Sequence, residues 1–322
     1  MRKEVSSRKK KCLRVGILGT GFGRVHADVY NNMKGVKIAG IFGRSDEKLN
    51  ELKNGLKVKT TNDIYELIND PSIDLIDVCL PTDIHSKYVT EALKNGKDVF
   101  CETPVSYTID EAEKMKKCAE KYNKKLFVNL FYKFSAPHKY AADMINSNKI
   151  GKPLILTAYN KTAPVWGDLG LDKIIMNFMI HNFDFITEIM AEPIEVSASG
   201  FEFGTRSHAV SSLIFKNGFA TIESSSIMPE GYPFSLGFDL ICENGAITYK
   251  GQYGEDSFEG TILYKVKNQP KEISLEENDE LNEAIKHVLN CIRENKQSPI
   301  ISIEHAIKSL KIASIVSKSI KK

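Results

Sequence analysis

The amino-acid sequence predicts an α/β protein: a doubly wound parallel sheet at the N-terminal end, followed by an α+β domain whose sheet is mostly antiparallel. Three observations predict it. An apolar strand at residues 13–18 runs straight into Gly19-Thr20-Gly21-Phe22-Gly23, a turn built from residues without a Cβ. Apolar runs at 36–42, 73–80, 98–101 and 126–130 then alternate with helical segments, the grammar of a parallel sheet buried on both faces. Beyond residue 130 the strands follow one another without intervening helices.

Each element has its own justification. Asp83 is placed to cap a helix that stops at Asn95-Gly96, and Thr108 with Glu111 forms a capping-box pattern at the head of a helix over 110–122. In the second half, strands are expected at 154–160, 194–201, 209–215, 219–225, 235–242 and 246–250. Asn217-Gly218 and Asn244-Gly245 serve as two-residue hairpin turns between them. One helix is inserted near 172–190. Leu281, Ile285, Val288, Leu289 and Ile292 mark a second, and Ile303, Ala306, Ile307, Leu310 and Ala313 a third. The chain of 322 residues thus divides into a basic tail over 1–11, a dinucleotide-type domain over 12–130 and a substrate domain over 131–322, with the last helices free to fold back on the first domain.

Charge narrows the function classes. Of the net +3, the first eleven residues supply +5 (Arg2, Lys3, Arg8, Lys9, Lys10 and Lys11 against Glu4), so the remainder sums to −2. The tail is expected to be disordered, and the body has no basic face for nucleic acid. No run approaches the roughly 18 apolar residues of a membrane span. Six scattered cysteines without a Cys-x-x-Cys pair read as reduced thiols of a cytoplasmic protein, with no metal site.

Three clusters at strand ends carry the chemistry. The glycine turn brings backbone N–H groups to a helix N-terminus, where a pyrophosphate binds. Twenty-four residues beyond Gly19, Gly43 stands where an acid would take the ribose hydroxyls, and Arg44 and Ser45 follow it. That set suits a 2′-phosphate and favours NADP over NAD. Leu80, Pro81, Thr82 and His85 could line the crevice for a nicotinamide, although a histidine there is more often a solvated surface group. Glu102-Thr103-Pro104 closes the series.

In this order the clusters resemble the Gfo/Idh/MocA oxidoreductases (glucose–fructose oxidoreductase, inositol dehydrogenase), whose first domain is a Rossmann fold. The resemblance runs on through His181-x-x-Asp184 to the closing helices. It implies cofactor contacts from Gly19, Thr20, Gly21, Phe22, Gly23, Arg44, Ser45, Leu80, Pro81, Thr82, His85 and Glu102. It also implies His181 as acid–base residue or substrate ligand, Asp184 as the group that orients the substrate or the histidine, and a homodimer or homotetramer. Two departures stand out: a single residue separates Gly21 from Gly23, and Thr103 replaces the lysine of Glu-Lys-Pro. Threonine offers one neutral hydroxyl and cannot act as a cationic acid. Asn177, His181, Asp184 and Glu188 recur at spacings of 4, 3 and 4, which places them on one helical stripe. Asn177 stands where relatives often carry aspartate. Lys133, next to Tyr132, could restore some positive charge at the substrate, although an exposed lysine is the plainer expectation. Tyr159 and Trp166 either line the substrate side or belong to the core.

The resulting expectation is an NAD(P)-dependent oxidoreductase acting on a small polyol, sugar derivative or imine. A cofactor-assisted hydrolase or lyase and a nucleotide-sensing regulator without catalysis remain open beside it.

Overall fold

The computed structural model describes residues 12–165, 167, 169–253, 258–265, 269–275 and 279–321. The expected basic tail at 1–11 and Trp166 lie outside them. The chain forms two compact units: one holds the residues up to Ser106, Asp110–Asn129 and Leu281–Ile303, the other Tyr107–Ile109, Leu130–Glu280 and Glu304–Lys322.

The first unit is built on β1 (Leu13–Leu18), α1 (Phe22–Asn31), β2 (Val36–Phe42), α2 (Asp46–Leu56), β3 (Thr60–Thr61), α3 (Tyr65–Ile68) and β4 (Leu75–Val78). It continues with α4 (His85–Lys94), β5 (Asp98–Cys101), α5 (Ile109–Tyr122) and β6 (Leu126–Val128). The strands pair in parallel in the order β3-β2-β1-β4-β5-β6, so the order reverses between β1 and β4. The central strands are mostly apolar and buried because helices cover both faces; β4 and β5 expose no residue, Asp77 and Asp98 included. Helix α1 turns Gly23, His26, Ala27 and Tyr30 inward at helical spacing.

Asp83 does not cap α4. It falls within a 3₁₀ turn, Thr82–Ile84, and α4 begins at His85 behind Ile84, with no side-chain cap. The proline at 81 starts that turn one step earlier than a simple capped helix would. At the other end the helix stops as expected, with Gly96 at φ +75°.

The second unit opens with α6 (Ala136–Asn146), a helix absent from the sequence expectations. It continues through β7 (Pro153–Lys161), α7 (Leu171–Ile174), α8 (Ile180–Ile189), β8 (Glu195–Phe203), β9 (Arg206–Phe215), β10 (Gly218–Ser225), β11 (Phe234–Cys242), β12 (Gly245–Tyr253), β13 (Phe258–Lys265) and β14 (Lys271–Glu272). Helices α9 (Glu280–Arg293), which lies mostly in the first unit, and α10 (Ile303–Ser319) follow, then β15 (Ile320–Lys321). Among the described residues the sheet runs β14-β13-β12-β11-β7-β10-β9-β8-β15, antiparallel except where β7 meets β10 and β15 meets β8.

The hairpins form, displaced by one residue from expectation. Phe215 pairs with Gly218 and Cys242 with Gly245, so the loop residues are Lys216-Asn217 and Glu243-Asn244. None of these four has positive φ, which rules out the type I′ turn that Asn-Gly usually signals. Alternation sorts the sheet's two faces. Leu240, Leu156, Ala220 and Leu213 are cross-strand partners on the buried side. One residue along, Ile241, Ile155, Phe219 and Ile214 form an equally registered apolar row that stays 38–42 % exposed.

Candidate functional site

The first unit gathers its candidate residues at the carboxyl ends of β1, β2, β4 and β5. Gly19 has φ +118°, and a Cβ there would stand 2.3 Å from the Cys79 carbonyl oxygen, so only glycine carries the chain off β1. Its N–H donates to Phe42 O at 2.9 Å. At Gly21 a Cβ would meet nothing within 4 Å; at Gly23 it would press on Ile17 at 3.1 Å. The three glycines therefore do separate jobs despite the shortened spacing: a tight turn, an open approach and close helix–strand contact. Gly21 is the N-cap of α1, no side chain caps that end, and no acidic residue occupies the first turn. An open floor before an uncapped helix N-terminus suits a pyrophosphate. Substituting Gly19 by alanine is expected to destabilise the protein by about 2–4 kcal/mol, read by denaturant unfolding.

At the end of β2, a Cβ on residue 43 would lie 2.5 Å from the Thr20 methyl and 3.0 Å from Leu49, so Thr20 occupies the space an acid would need. Arg44 is exposed, and Ser45 accepts from Lys48 N at 3.4 Å as the N-cap of α2. Ser45 thus has a structural duty beside the cofactor contact expected of it.

His85 departs from expectation. Its ring is 1 % exposed, with Nε2 2.7 Å from Leu80 O and Nδ1 3.1 Å from Pro104 O. Burial lowers its pKa, and the ring sits between the β4 end and the Pro104 turn, where its neutral form donates its single N–H to one of these carbonyls at a time. It is neither a solvated surface group nor a crevice-lining one. Leu80 and Thr82 are half-buried and Pro81 is exposed.

Thr103 is half-buried, and its peptide bond to Pro104 is cis. Glu102 before it is held from several sides. Its Oε1 accepts from Asn129 Nδ2 at 2.6 Å and its Oε2 from the Thr103 N–H at 3.1 Å. His26 Nε2 stands 2.7 Å from Oε1, while Nδ1 of the same ring lies 2.9 Å from Asp77 Oδ2. His26 and Asp77 are buried to 1 % and 0 %. Asp77 raises the His26 pKa well above the ordinary value against the opposing effect of burial. Glu102 is held below the usual carboxylate range by His26, Asn129 and the Thr103 amide, although its burial acts the other way. Neither His26 nor Asp77 was among the residues expected from sequence. The signals were a carboxylate inside the buried strand Leu75–Val78 and a histidine on the inward face of α1. With Cys79 they place three ligand-type atoms within 4.8 Å of one another, but the Cys79 thiol already donates to Asp77 Oδ1 at 3.4 Å.

The second unit holds the other candidates. The inserted helix is not one regular helix: Ile175–Met179 forms a π turn between α7 and α8. That turn interrupts the expected 4-3-4 stripe. His181, Asp184 and Glu188 share α8, whereas Asn177 lies in the π turn, rotated out of α-helical register with them. The expectation of a solvent-facing lysine at 133 is overturned. It ends a 3₁₀ turn, Phe131–Lys133, with a side chain only 4 % exposed, its ammonium 3.0 Å from Glu188 Oε2 and 3.4 Å from Asp184 Oδ2. Asp184 is 2 % exposed, and burial lifts its carboxyl to about 7 against the pull of Lys133. His181 is half-buried, its ring 4.6 Å from Phe131 and 5.5 Å from Tyr132. Tyr132 is fixed in turn: its hydroxyl accepts from Asn160 at 2.7 Å, Asn160 accepts from Asn182, and His138 stacks on the ring at 4.2 Å. Tyr159 is half-buried at the sheet.

Comparison with known proteins places this geometry. Over 238 residues the chain is 32 % identical to the myo-inositol 2-dehydrogenase of Thermotoga maritima, covering 68 % of this chain and 70 % of that one. This chain belongs to the Gfo/Idh/MocA oxidoreductase family. Residues 13–130 match the family's NAD-binding Rossmann fold. The scyllo-inositol 2-dehydrogenase (NAD(+)) of Bacillus subtilis is 24 % identical over 313 residues, 90 % of this chain and 89 % of its own. Among solved structures, UDP-N-acetylglucosamine 3-dehydrogenase from Acidithiobacillus ferrooxidans shares the fold with a TM-score of 0.81, at 21 % identity over 96 % of this chain and 97 % of that one. As a Gfo/Idh/MocA oxidoreductase, the chain uses a nicotinamide nucleotide, and the cradle at Gly19–Gly23 has the form to hold its pyrophosphate.

Proposed function

We propose that this chain is a dehydrogenase that moves hydride between a nicotinamide nucleotide, NADP in preference to NAD, and a carbinol carbon of a small polyol or sugar. The observation that carries the reading is the open floor at Gly21 before the uncapped α1, within the segment matched to the NAD-binding fold. Relatives named as inositol dehydrogenases support the polyol class. Thr20, Phe22 and Gly23 join Gly19 and Gly21 around the phosphates; Leu80, Pro81, Thr82 and Glu102 line the strand ends beyond. When bound, the nicotinamide supplies the hydride acceptor or donor at its C4. His181 takes the hydroxyl proton as the carbonyl forms, or returns it in the reverse direction. Asp184 and Lys133 hold the charge beside that helix turn, Asn177 contacts the substrate, and Thr103 offers a neutral hydroxyl where a lysine is usual. Arg44, exposed and without a carboxylate partner among the described residues, takes a 2′-phosphate at the end of β2, where residue 43 carries no acid to repel it.

The exposed row Ile241, Ile155, Phe219 and Ile214 supports a homo-oligomer formed through the sheet. Nothing about the catalytic reading depends on it.

The test follows nucleotide absorbance with NAD and NADP against a panel of inositols, sugars, sugar derivatives and imines. Turnover with at least one polyol or sugar is expected. Arg44→Ala should weaken NADP binding about 10- to 100-fold and leave NAD within a factor of two. A second reading, a nucleotide-sensing regulator, is favoured by the two uncharged residues Thr103 and Asn177. Tight nucleotide binding with no turnover on any substrate would select it.

A further inference from the structure

The buried row Asp77–His26–Glu102 lies outside the proton-transfer chemistry assigned above, yet it ends at the nucleotide side of the first unit. Three ionisable groups stand in line: Asp77 Oδ2 is 2.9 Å from His26 Nδ1, and His26 Nε2 is 2.7 Å from Glu102 Oε1. Among the described residues, the other groups in contact with them add no charge. Burial beside Asp77 keeps the Tyr30 hydroxyl and the Cys79 thiol protonated, and Asn129 and the Thr103 N–H are neutral donors. Two carboxylates and one imidazole share a single proton between them. Whether that proton rests on His26 or on Glu102, the sum is one negative charge.

Strand geometry gives that charge a direction. A dinucleotide lies across the carboxyl ends of the strands at the point where their order reverses, one half on each side. Here the reversal falls between β1 and β4, and the adenosine side is marked by Arg44 after β2. The other half therefore extends over the ends of β4 and β5, and Glu102 is the first residue after β5. Neighbouring strands are only about 4.8 Å apart, so a ring over these ends comes within roughly 10 Å of the carboxylate. Where a lysine would neutralise this spot, the chain carries Thr103.

We propose that the Asp77–His26–Glu102 triad, with no cation at position 103 to offset it, makes this chain bind the oxidised, cationic nicotinamide nucleotide more tightly than the reduced one. The proposal rests on the nucleotide reading given above and adds to it which redox form the resting protein holds. The oxidised ring is positively charged and the reduced ring neutral, so a unit negative charge stabilises the oxidised form alone. At that range and in a partly screened setting, the discrimination is on the order of tenfold, about 1.4 kcal/mol.

The test measures dissociation constants of oxidised and reduced NADP by fluorescence titration for the wild type, Thr103→Lys and Thr103→Met. The last has similar bulk without the charge. The wild type and Thr103→Met should bind the oxidised form about tenfold tighter, and Thr103→Lys should remove most of that preference. A wild-type ratio at or below one, or equal ratios for the lysine and methionine variants, would overturn the proposal while leaving the nucleotide reading intact. Absence of binding by either form would overturn both. A Glu102→Gln variant serves as an independent check: it should lower the ratio in the same direction as Thr103→Lys.

Discussion

A His181→Ala variant should lose turnover by about 10²- to 10⁴-fold while binding the nucleotide within a factor of two of the wild type. That is the range general acid–base catalysis contributes when its proton carrier is removed. The histidine has the setting for such a role: a half-buried ring held between Phe131 and Tyr132, one turn from a buried carboxylate. Steady-state rates over a pH series check it. A loss smaller than tenfold would transfer the proton to another group, with Asp184 the first to examine.

Lys133→Met should cost about 3–5 kcal/mol of stability at pH 8, because it removes the ammonium that faces two carboxylates and leaves Asp184 in the interior without it. The pH dependence has a definite sign. Asp184 has its carboxyl raised to about 7 in the folded protein, against roughly 3.9 in an unfolded chain. Between those values the folded state holds a proton that the unfolded state releases. The stability contributed by this group is therefore fully present below about pH 4 and is lost as pH rises towards 7. Without Lys133 the carboxyl climbs further, so the variant's deficit should be smaller at pH 5.5 than at pH 8. Urea unfolding of both proteins at the two pH values measures it, and equal stability at pH 8 would show that Lys133 does not hold the pair.

Much of the fold was legible because burial and periodicity coincide in it. The ranges 13–18, 36–42 and 98–101 are apolar apart from Arg14, Lys37 and Asp98, and the strands observed there end where the apolar run ends. Strands β4 and β6 are shorter than expected since Cys79, Leu80, Asn129 and Leu130 already belong to the turns that leave the sheet. Helix α6 escaped notice because its buried face is made of Pro137, His138, Ala141, Ala142 and Met144, small or polar residues with a weak apolar rhythm. Its one clear signal was a serine followed closely by a proline at the helix start. The site was legible in part. His181, Asp184 and Lys133 stand out by their types, but the burial of Lys133 against Asp184 and Glu188 joins segments far apart in sequence. The π turn that rotates Asn177 leaves no mark in hydrophobic periodicity. The burial of His85 is hidden for the same kind of reason: the carbonyls around its ring come from Leu80, Pro104 and Val105.

Strand β6 borrows its outer neighbour from far down the chain. Val128 N donates to Ile301 O at 2.9 Å, Phe127 bridges Ser302, and Arg293 reaches back to Gly35 O. On the ribosome, then, the first unit cannot be completed when its own strands have emerged. About 170 further residues must be synthesised before the 281–303 segment arrives, and until then β6 presents an open apolar edge of the kind that invites wrong partners. Nascent chains stopped near residue 150 should therefore be more prone to aggregation and to capture by chaperones than chains released after residue 303.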